Sequence, residues 1–391
     1  MTEERSLYLN NGQACHLHIK ASFEKFFNWS RLFAARMLAP LWLIVGICAS
    51  GMAHAAPLDA PVLKPDSGPW STGEGFNIDE KTRRSVSGIA CVPSLGDRVC
   101  LVVFDEGIEA RHAVLKKDML LPQSEHLMLL GSGSELDAEG AASDGRNFYV
   151  TGSHSMSRTR CAPNPDSRHV IRFSIDPKTS RAMRDHNGKL SGYQASGRLW
   201  EILSSQEGFK QYLGKCLGTQ PPEKSPELKG EQGINIEGLA VKDGLLYFGF
   251  RGPAQEGAVP ILSVKADALF SDLPLKPATF RLAVGQGRGI RDLLAVKDGF
   301  LVLTGPDDDE RKKQPSSMLL FWNGKDSTRR ISNVKPLANL DLSKIVRSTC
   351  DKVAKPEALA LISESAREYK VLVLSDGMCD GGPLAFTVTR R

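Results

Sequence analysis

The chain has 391 residues, with 50 Lys and Arg against 45 Asp and Glu, and a formal charge of +5. That length exceeds an ordinary single domain but suits one closed all-β unit. The near balance of charge, without a basic run able to track a phosphate backbone, argues against a nucleic-acid partner. The clusters KTRR (81–84) and DDDERKK (307–313) read as solvated loops.

In chain order, the first feature is RLFAARMLAPLWLIVGICASGMAHAAP. Arg31 and Arg36 precede an apolar run from Met37, and Ala53-His54-Ala55 stands before Ala56, the layout of a secretory signal with its cleavage site. Residues 1–55 are therefore assigned to a leader and signal peptide, with Met37 an alternative start and a retained anchor the alternative reading. The mature chain is expected in the periplasm or secreted, with no membrane span. Cys15 and Cys48 fall in the leader, and the remaining six cysteines include no C-x-x-C or other zinc-ligand spacing. Disulfides in an oxidising compartment are the expectation, with buried free thiols the alternative.

From residue 87 a layout repeats: an acidic or small residue, a short apolar strand, a turn, a second apolar strand, then a polar cluster. It appears in SGIACVPSLGDRVCLVVFDEG (87–107), DAEGAASDGRNFYVTGSHS (137–155), GINIEGLAVKDGLLYFGFRGP (233–253), IRDLLAVKDGFLVLTGPDDD (290–309) and PEALALISESAREYKVLVLSDG (356–377). Asp144-Gly145, Asp243-Gly244 and Asp298-Gly299 are hairpin turn signals. Third strands follow in HVIRFSID, VPILSVKAD, MLLFWNGK and LAFTVTRR, and fourth strands in HLMLLGS, RLWEILS and TFRLAVG. Four antiparallel strands per repeat predict a β-propeller of five to six four-stranded blades, with a β-sandwich as the alternative fold. The long interval between the second and third units would hold a sixth blade or an insertion, since Phe209, Tyr212 and Leu213 fall at helical spacing. Residues 56–84 are read as an N-terminal extension contributing a closing strand, around GFNID, and 85–391 as the propeller domain.

In such a hairpin, the start of the first strand lies beside the end of the second. Glu139 is thus expected near Ser153 and His154, Glu237 near Arg251, Asp292 near Asp307 and Asp308, Glu357 near Asp376, and Ser87 near Asp105. A propeller gathers these ends at one channel mouth. The same map pairs Cys91 with Cys100, Cys161 with Cys216, and Cys350 with Cys379.

Crowded carboxylates at a mouth suit acid/base work or a hard cation, and their repulsion raises at least one pKa. Glu237, Glu139 and His154 are the candidate catalytic groups. Arg251, Arg288 and Arg291 are candidates for binding an anionic substrate, because guanidinium forks match phosphate and carboxylate. Asp292, Glu357, Asp307 and Asp376 are candidate ligands for Ca²⁺. A structural ring of caps and salt bridges is the competing reading of the same residues. GQGRGIRD (285–292) precedes a strand, so it is no phosphate loop, and GSHSMSRTR (152–160) contains no nucleophile elbow.

The motifs DAEG, NIEGLA with FRGP, GRGIRD and PEALA with VLVLSDG resemble a bacterial exported family known as a domain of unknown function, over roughly residues 85–385. The repeated EGxA and DG unit is also similar, more distantly, to phytase-like, esterase-like propeller proteins. That second likeness implies hydrolysis of a phosphate or other ester and identifies no catalytic residue. Two function classes follow: an exported hydrolase of a small anionic substrate, and a non-catalytic propeller binding a protein, peptide or glycan. A monomer is expected in either case.

Overall fold

The structure is a computed structural model that describes residues 58–92, 96–131, 135–309, 312–325 and 330–390. The expected leader over 1–55 lies outside the described residues. After β1 (Val62–Leu63), blade 1 consists of β2 (Val86–Cys91), β3 (Arg98–Phe104), β4 (Glu109–Lys116) and β5 (Met119–Met128). Blade 2 is β6 (Ala138–Ser143), β7 (Asn147–Gly152), β8 (Val170–Ser174) and β9 (Gln194–Ser196). Blade 3 is β10 (Asn235–Lys242), β11 (Leu245–Gly252), β12 (Ala258–Lys265) and β13 (Ala278–Ala283). Blade 4 runs through β14 (Arg288–Val296), β15 (Gly299–Pro306) and β16 (Met318–Trp322). Next, β17 (Ile331–Ser332) adds to the edge of blade 3, and β18 (Lys335–Leu340) completes blade 4 with β1 parallel on its outer edge. Blade 5 has three strands, β19 (Lys355–Glu364), β20 (Glu368–Asp376) and β21 (Leu384–Thr389).

The first strands β2, β6, β10, β14 and β19 each pack on the next, and β19 packs on β2. This closed cycle makes the chain an all-β, five-bladed propeller. The long interval holds an insertion, and no sixth sheet lies among the described residues. RLWEILS, expected as a strand, forms the helix α2 (Arg198–Ser205). Leu199, Ile202 and Leu203 recur on one helical face and are buried there, so the 3.6-residue period overrides the apolar run. Phe209 and Tyr212 are buried in the same cluster, beside a short 3-10 turn.

The turns obey local chemistry. Asp243 and Gly244 both take positive φ, 51° and 74°, between Lys242 and Leu245, which pair directly. That is the primed turn whose twist matches a hairpin.

The glycine after Glu139 and Glu237 has a packing reason. A Cβ on Gly140 would lie 3.0 Å from the Glu237 carbonyl oxygen of the next blade, and one on Gly238 would lie 3.0 Å from Leu293 N. Neighbouring inner strands approach too closely there for a larger residue.

The N-terminal segment crosses three blades. β1 joins blade 4, Asp66 N and Trp70 N donate to Ala385 O and Pro383 O beside blade 5, and Leu120 N in blade 1 donates to Ser71 O. The stretch running beside β21 is therefore 66–70, whereas GFNID (75–79) packs Phe76 into the core and supplies Asp79 as the N-cap of the one-turn helix α1 (Glu80–Arg83). Arg83 grips Asp380 through Nε at 2.9 Å and Nη2 at 2.5 Å, and Phe76 N donates to the same carboxylate at 2.8 Å. Disulfides join Cys91 to Cys100, Cys161 to Cys216, and Cys350 to Cys379.

Candidate functional site

Each innermost strand slips register by one residue near its start. The skipped residues are Ser87, Glu139, Glu237, Arg291 and Glu357. A bulge re-aims the extra side chain, and here it gathers the five equivalent residues at the channel. All five are buried. They form a connected chain of contacts: Ser87 Oγ donates to Glu139 Oε2 at 2.5 Å and lies 3.5 Å from Glu357 Oε2. Arg291 Nη1 donates to Glu357 Oε1 at 2.7 Å and to Glu237 Oε2 at 3.0 Å.

Above blades 3 and 4 the site is neutralised. Arg251 Nη1 meets Glu237 Oε1 at 3.1 Å, where Asn235 Nδ2 also donates at 2.9 Å. Asp309 Oδ1 accepts Arg251 Nη2 at 2.7 Å and Arg291 Nη2 at 3.4 Å, and its Oδ2 faces Arg158 at 3.4 Å. Burial would raise the Asp309 carboxyl, but Arg251, Arg291 and Arg158 outweigh it and hold the group well below the carboxylate range. Burial works against the charge on Arg251 too, and Glu237 and Asp309 hold its pKa above the ordinary value. Arg251 is 1% exposed, whereas the Arg158 side chain is 54% exposed.

Toward blades 1, 2 and 5 the carboxylates are less compensated. Burial, with the charges of Asp376 and Asp137, pushes Asp105 up to about 7, and its Oδ1 has no hydrogen-bond partner. Burial lifts Asp137 to about 6 against the pull of the Ser153 hydroxyl, which donates to it, and of Arg158. Glu139 makes no ion pair at contact distance among the described residues, and burial, with Asp137 and Glu237, holds it well above its usual value. Burial raises Glu357 to about 8, opposed by Arg291 and reinforced by Asp376. Lys355 Nζ lies 3.4 Å from Asp376 Oδ2 at this edge. A cavity of about 270 Å³, lined by Arg291, Asp309, Pro306 and Lys355 among others, opens between blades 4 and 5.

The expected site residues sort unevenly. Glu139, Glu237 and Glu357 lie in the ring together, with Arg251 and Arg291 bonded to Glu237. Asp292 does not join them: the ring position of blade 4 is Arg291, and Asp292 stands where blades 1–3 have glycine. Its carboxylate accepts Leu293 N at 2.7 Å and Leu359 N of blade 5 at 2.7 Å, a staple between blades. Burial holds it well above its normal pKa against those amides. Asp308 accepts Thr219 N, Thr219 Oγ1 and Gln220 N, at 2.7 to 2.8 Å. Asp307 is buried. Asp292, Glu357, Asp307 and Asp376 thus do not converge on a cation site, and no cluster of three or more acidic, His or Cys side chains suited to a metal occurs among the described residues.

His154 binds Gly152 O through Nδ1 at 3.0 Å and stacks on Trp200, and burial pushes it down to about 4. None of its contacts is a ring residue. Arg288 donates to Ser316 O, also outside the ring. The site residues that sequence reasoning missed are Asp309, Asp137 and Lys355. Asp309 lies within DDDERKK, read above as solvated, yet Asp307 and Asp308 are 4% and 3% exposed and the Asp309 side chain 21%. Asp137 stands two residues before Glu139, as Asn235 stands before Glu237, and that alignment was its available signal.

No curated protein sequence matches this chain. Among solved structures it is similar to a glycoside hydrolase family 43 β-1,3-galactosidase, with 11% identity and TM-score 0.39, over 83% of this chain and 59% of that one. It is also similar to an exo-β-1,3-galactanase from Phanerochaete chrysosporium, with 7% identity and TM-score 0.42, over 83% of this chain and 64% of that one. The major Malassezia sympodialis allergen Mala s 1 has 11% identity and TM-score 0.36, over 78% of each chain. This chain thus spans less than two thirds of the length of the first two, and likeness at this level says nothing of its activity. A family model matches residues 172–381, more than half of the chain, and the chain belongs to that family, described as Protein of unknown function (DUF3616).

Proposed function

We propose that the chain is an exported hydrolase acting at the charged mouth on a phosphate or other ester of a small anionic molecule. The observation that carries this reading is the split of carboxyl groups in one mouth. Asp309 is firmly ionised among arginines, while Asp105 and Asp137, both half-buried, titrate near neutrality. Environments that push neighbouring carboxyl pKa values apart define acid and base partners. In this reading Asp137, ionised above about 6, activates water, and Asp105, protonated below about 7, donates its proton to the leaving oxygen. Water supplies the hydroxyl to one product, and the Asp105 proton completes the alcohol.

Arg251 and Arg291 act through Glu237, Glu357 and Asp309 as positioning residues, because their forks are already bonded. The substrate anion falls instead to Arg158 and Lys355, the more exposed cations at the mouth. Three disulfides suit an oxidising compartment, which supports export. No helix among the described residues is long and apolar enough to cross a membrane.

The engagement of both Arg251 and Arg291 with ring and loop carboxylates favours the second reading, a mouth that binds a protein, peptide or glycan without turnover. A panel of phosphate and carboxyl esters, assayed on the purified chain with and without Ca²⁺, separates the two. Turnover that falls about a hundredfold or more in Asp105→Asn, with the fold retained, supports hydrolysis. No turnover on any ester assigns the mouth to binding.

A further inference from the structure

The channel does not end at the ring. On its far side lies a cavity of about 530 Å³, within the size range of small-molecule sites (roughly 300–1,000 Å³). Its floor is built from Ile89, Ala141, Leu239, Leu293 and Leu359, one from each blade and each two residues beyond the bulged position. The alternation of a strand accounts for this: the same side of the inner strands that presents charge at one level presents aliphatic side chains at the next.

The rim has the opposite character. Arg98 donates to Leu361 O at 2.5 Å and Ile362 O at 2.6 Å, tying blade 1 to blade 5. Lys242 Nζ donates to Val296 O at 2.7 Å and Lys297 O at 3.1 Å, tying blade 3 to blade 4. Lys297 is exposed. Arg98 and Lys242 are fixed by neutral carbonyls, and among the described residues no ion pair joins Arg98, Lys242 or Lys297 to a carboxylate. The one acidic lining residue, Glu364, accepts the Lys297 amide at 3.2 and 3.3 Å and lies 3.9 Å from Arg390. An aliphatic lumen beneath an uncompensated positive rim is complementary to a tail bearing a negative head.

We propose that this funnel binds a single-chain anionic amphiphile, with its tail in the lumen and its head against Lys242, Lys297 and Arg98. The site is separate from the charged mouth, and the proposal does not depend on the hydrolase reading. Titration calorimetry of the purified chain with octanoate, decanoate and dodecanoate, each below its micelle concentration, tests it. Affinity should rise about fourfold per added methylene, the value of burying each in apolar surroundings. Dodecyltrimethylammonium should bind at least about tenfold more weakly than dodecanoate. The double variant Lys242→Gln, Lys297→Gln should weaken dodecanoate about tenfold and leave dodecanol unchanged. Affinity independent of chain length in the unmodified protein overturns the proposal, and so does a cationic head bound as well as the carboxylate.

Discussion

Arg291 and Glu357, at equivalent bulges of adjacent blades, meet at 2.7 Å, and the same guanidinium nitrogen reaches Glu237 at 3.0 Å. One side chain thereby joins blades 3, 4 and 5 at the channel. The carboxyl groups on either side of it are buried, and Arg291 opposes the rise that burial imposes on Glu357.

Arg291→Met should cost about 1–3 kcal/mol, because Glu237 keeps Arg251 while buried Glu357 loses its cation and is left to its protonated form. Urea denaturation measures this directly. A loss below about 1 kcal/mol would show that Glu237 and Glu357 do not need the cation.

Arg83→Ala should loosen the N-terminal segment, since Asp380 is buried and holds both Arg83 and the Phe76 amide. The expected result is faster proteolysis within residues 66–84 at unchanged far-ultraviolet circular dichroism. Cleavage at the wild-type rate would mean that the backbone bonds to β21 suffice alone.

Gly140→Ala should destabilise the protein by about 1–3 kcal/mol through overpacking, because the new methyl meets backbone of the next blade. Gly145→Ala has open space around it but a φ of 83°, so its cost is conformational and should be about 1 kcal/mol. Equal costs well above 1 kcal/mol at both sites would contradict the packing account.

Stability should depend on pH with two opposed limbs. Asp105 and Asp137 are raised in the folded state, so it binds more protons than the unfolded chain between about pH 4 and 7, and stability falls as pH rises through that window. Asp309 is depressed, so its contribution is present above the unfolded carboxylate value and is lost as pH falls below about 4. Buried His154 and His112, both depressed, act in the opposite sense over the same range, but the raised carboxyls, Glu357 and Glu139 included, outnumber them, so the melting temperature should peak in mild acid and Asp105→Asn should flatten the neutral limb. A melting temperature that rises steadily from pH 5 to 8 would be inconsistent with raised carboxyls.

Much of this was legible in the sequence for local reasons. Asp243-Gly244 names its own turn, and hairpin register alone places Cys91 opposite Cys100 and Glu237 beside Arg251. Blade number was left at five or six because the interval between the second and third units is long enough for another blade, and RLWEILS within it is apolar enough to pass for a strand until its helical face is packed. The site was misread by one residue at blade 4. A bulge leaves no mark in composition, and only aligning NIEGLA with GIRDLL, so that Arg291 matches Glu237 and Asp292 matches Gly238, reveals it. Asp309 was hidden for a different reason: whether an acidic loop residue is solvated or clamped depends on three arginines distant in sequence.

The most direct test of the central claim is the pH dependence of kcat/KM on whichever ester the panel identifies, for the wild type and Asp105→Asn. The account predicts a bell with apparent limbs near 6 and 7, and loss of the upper limb together with most of the rate in the variant. A profile with no limb between pH 5 and 8, or an Asp105→Asn enzyme of undiminished rate, would contradict it.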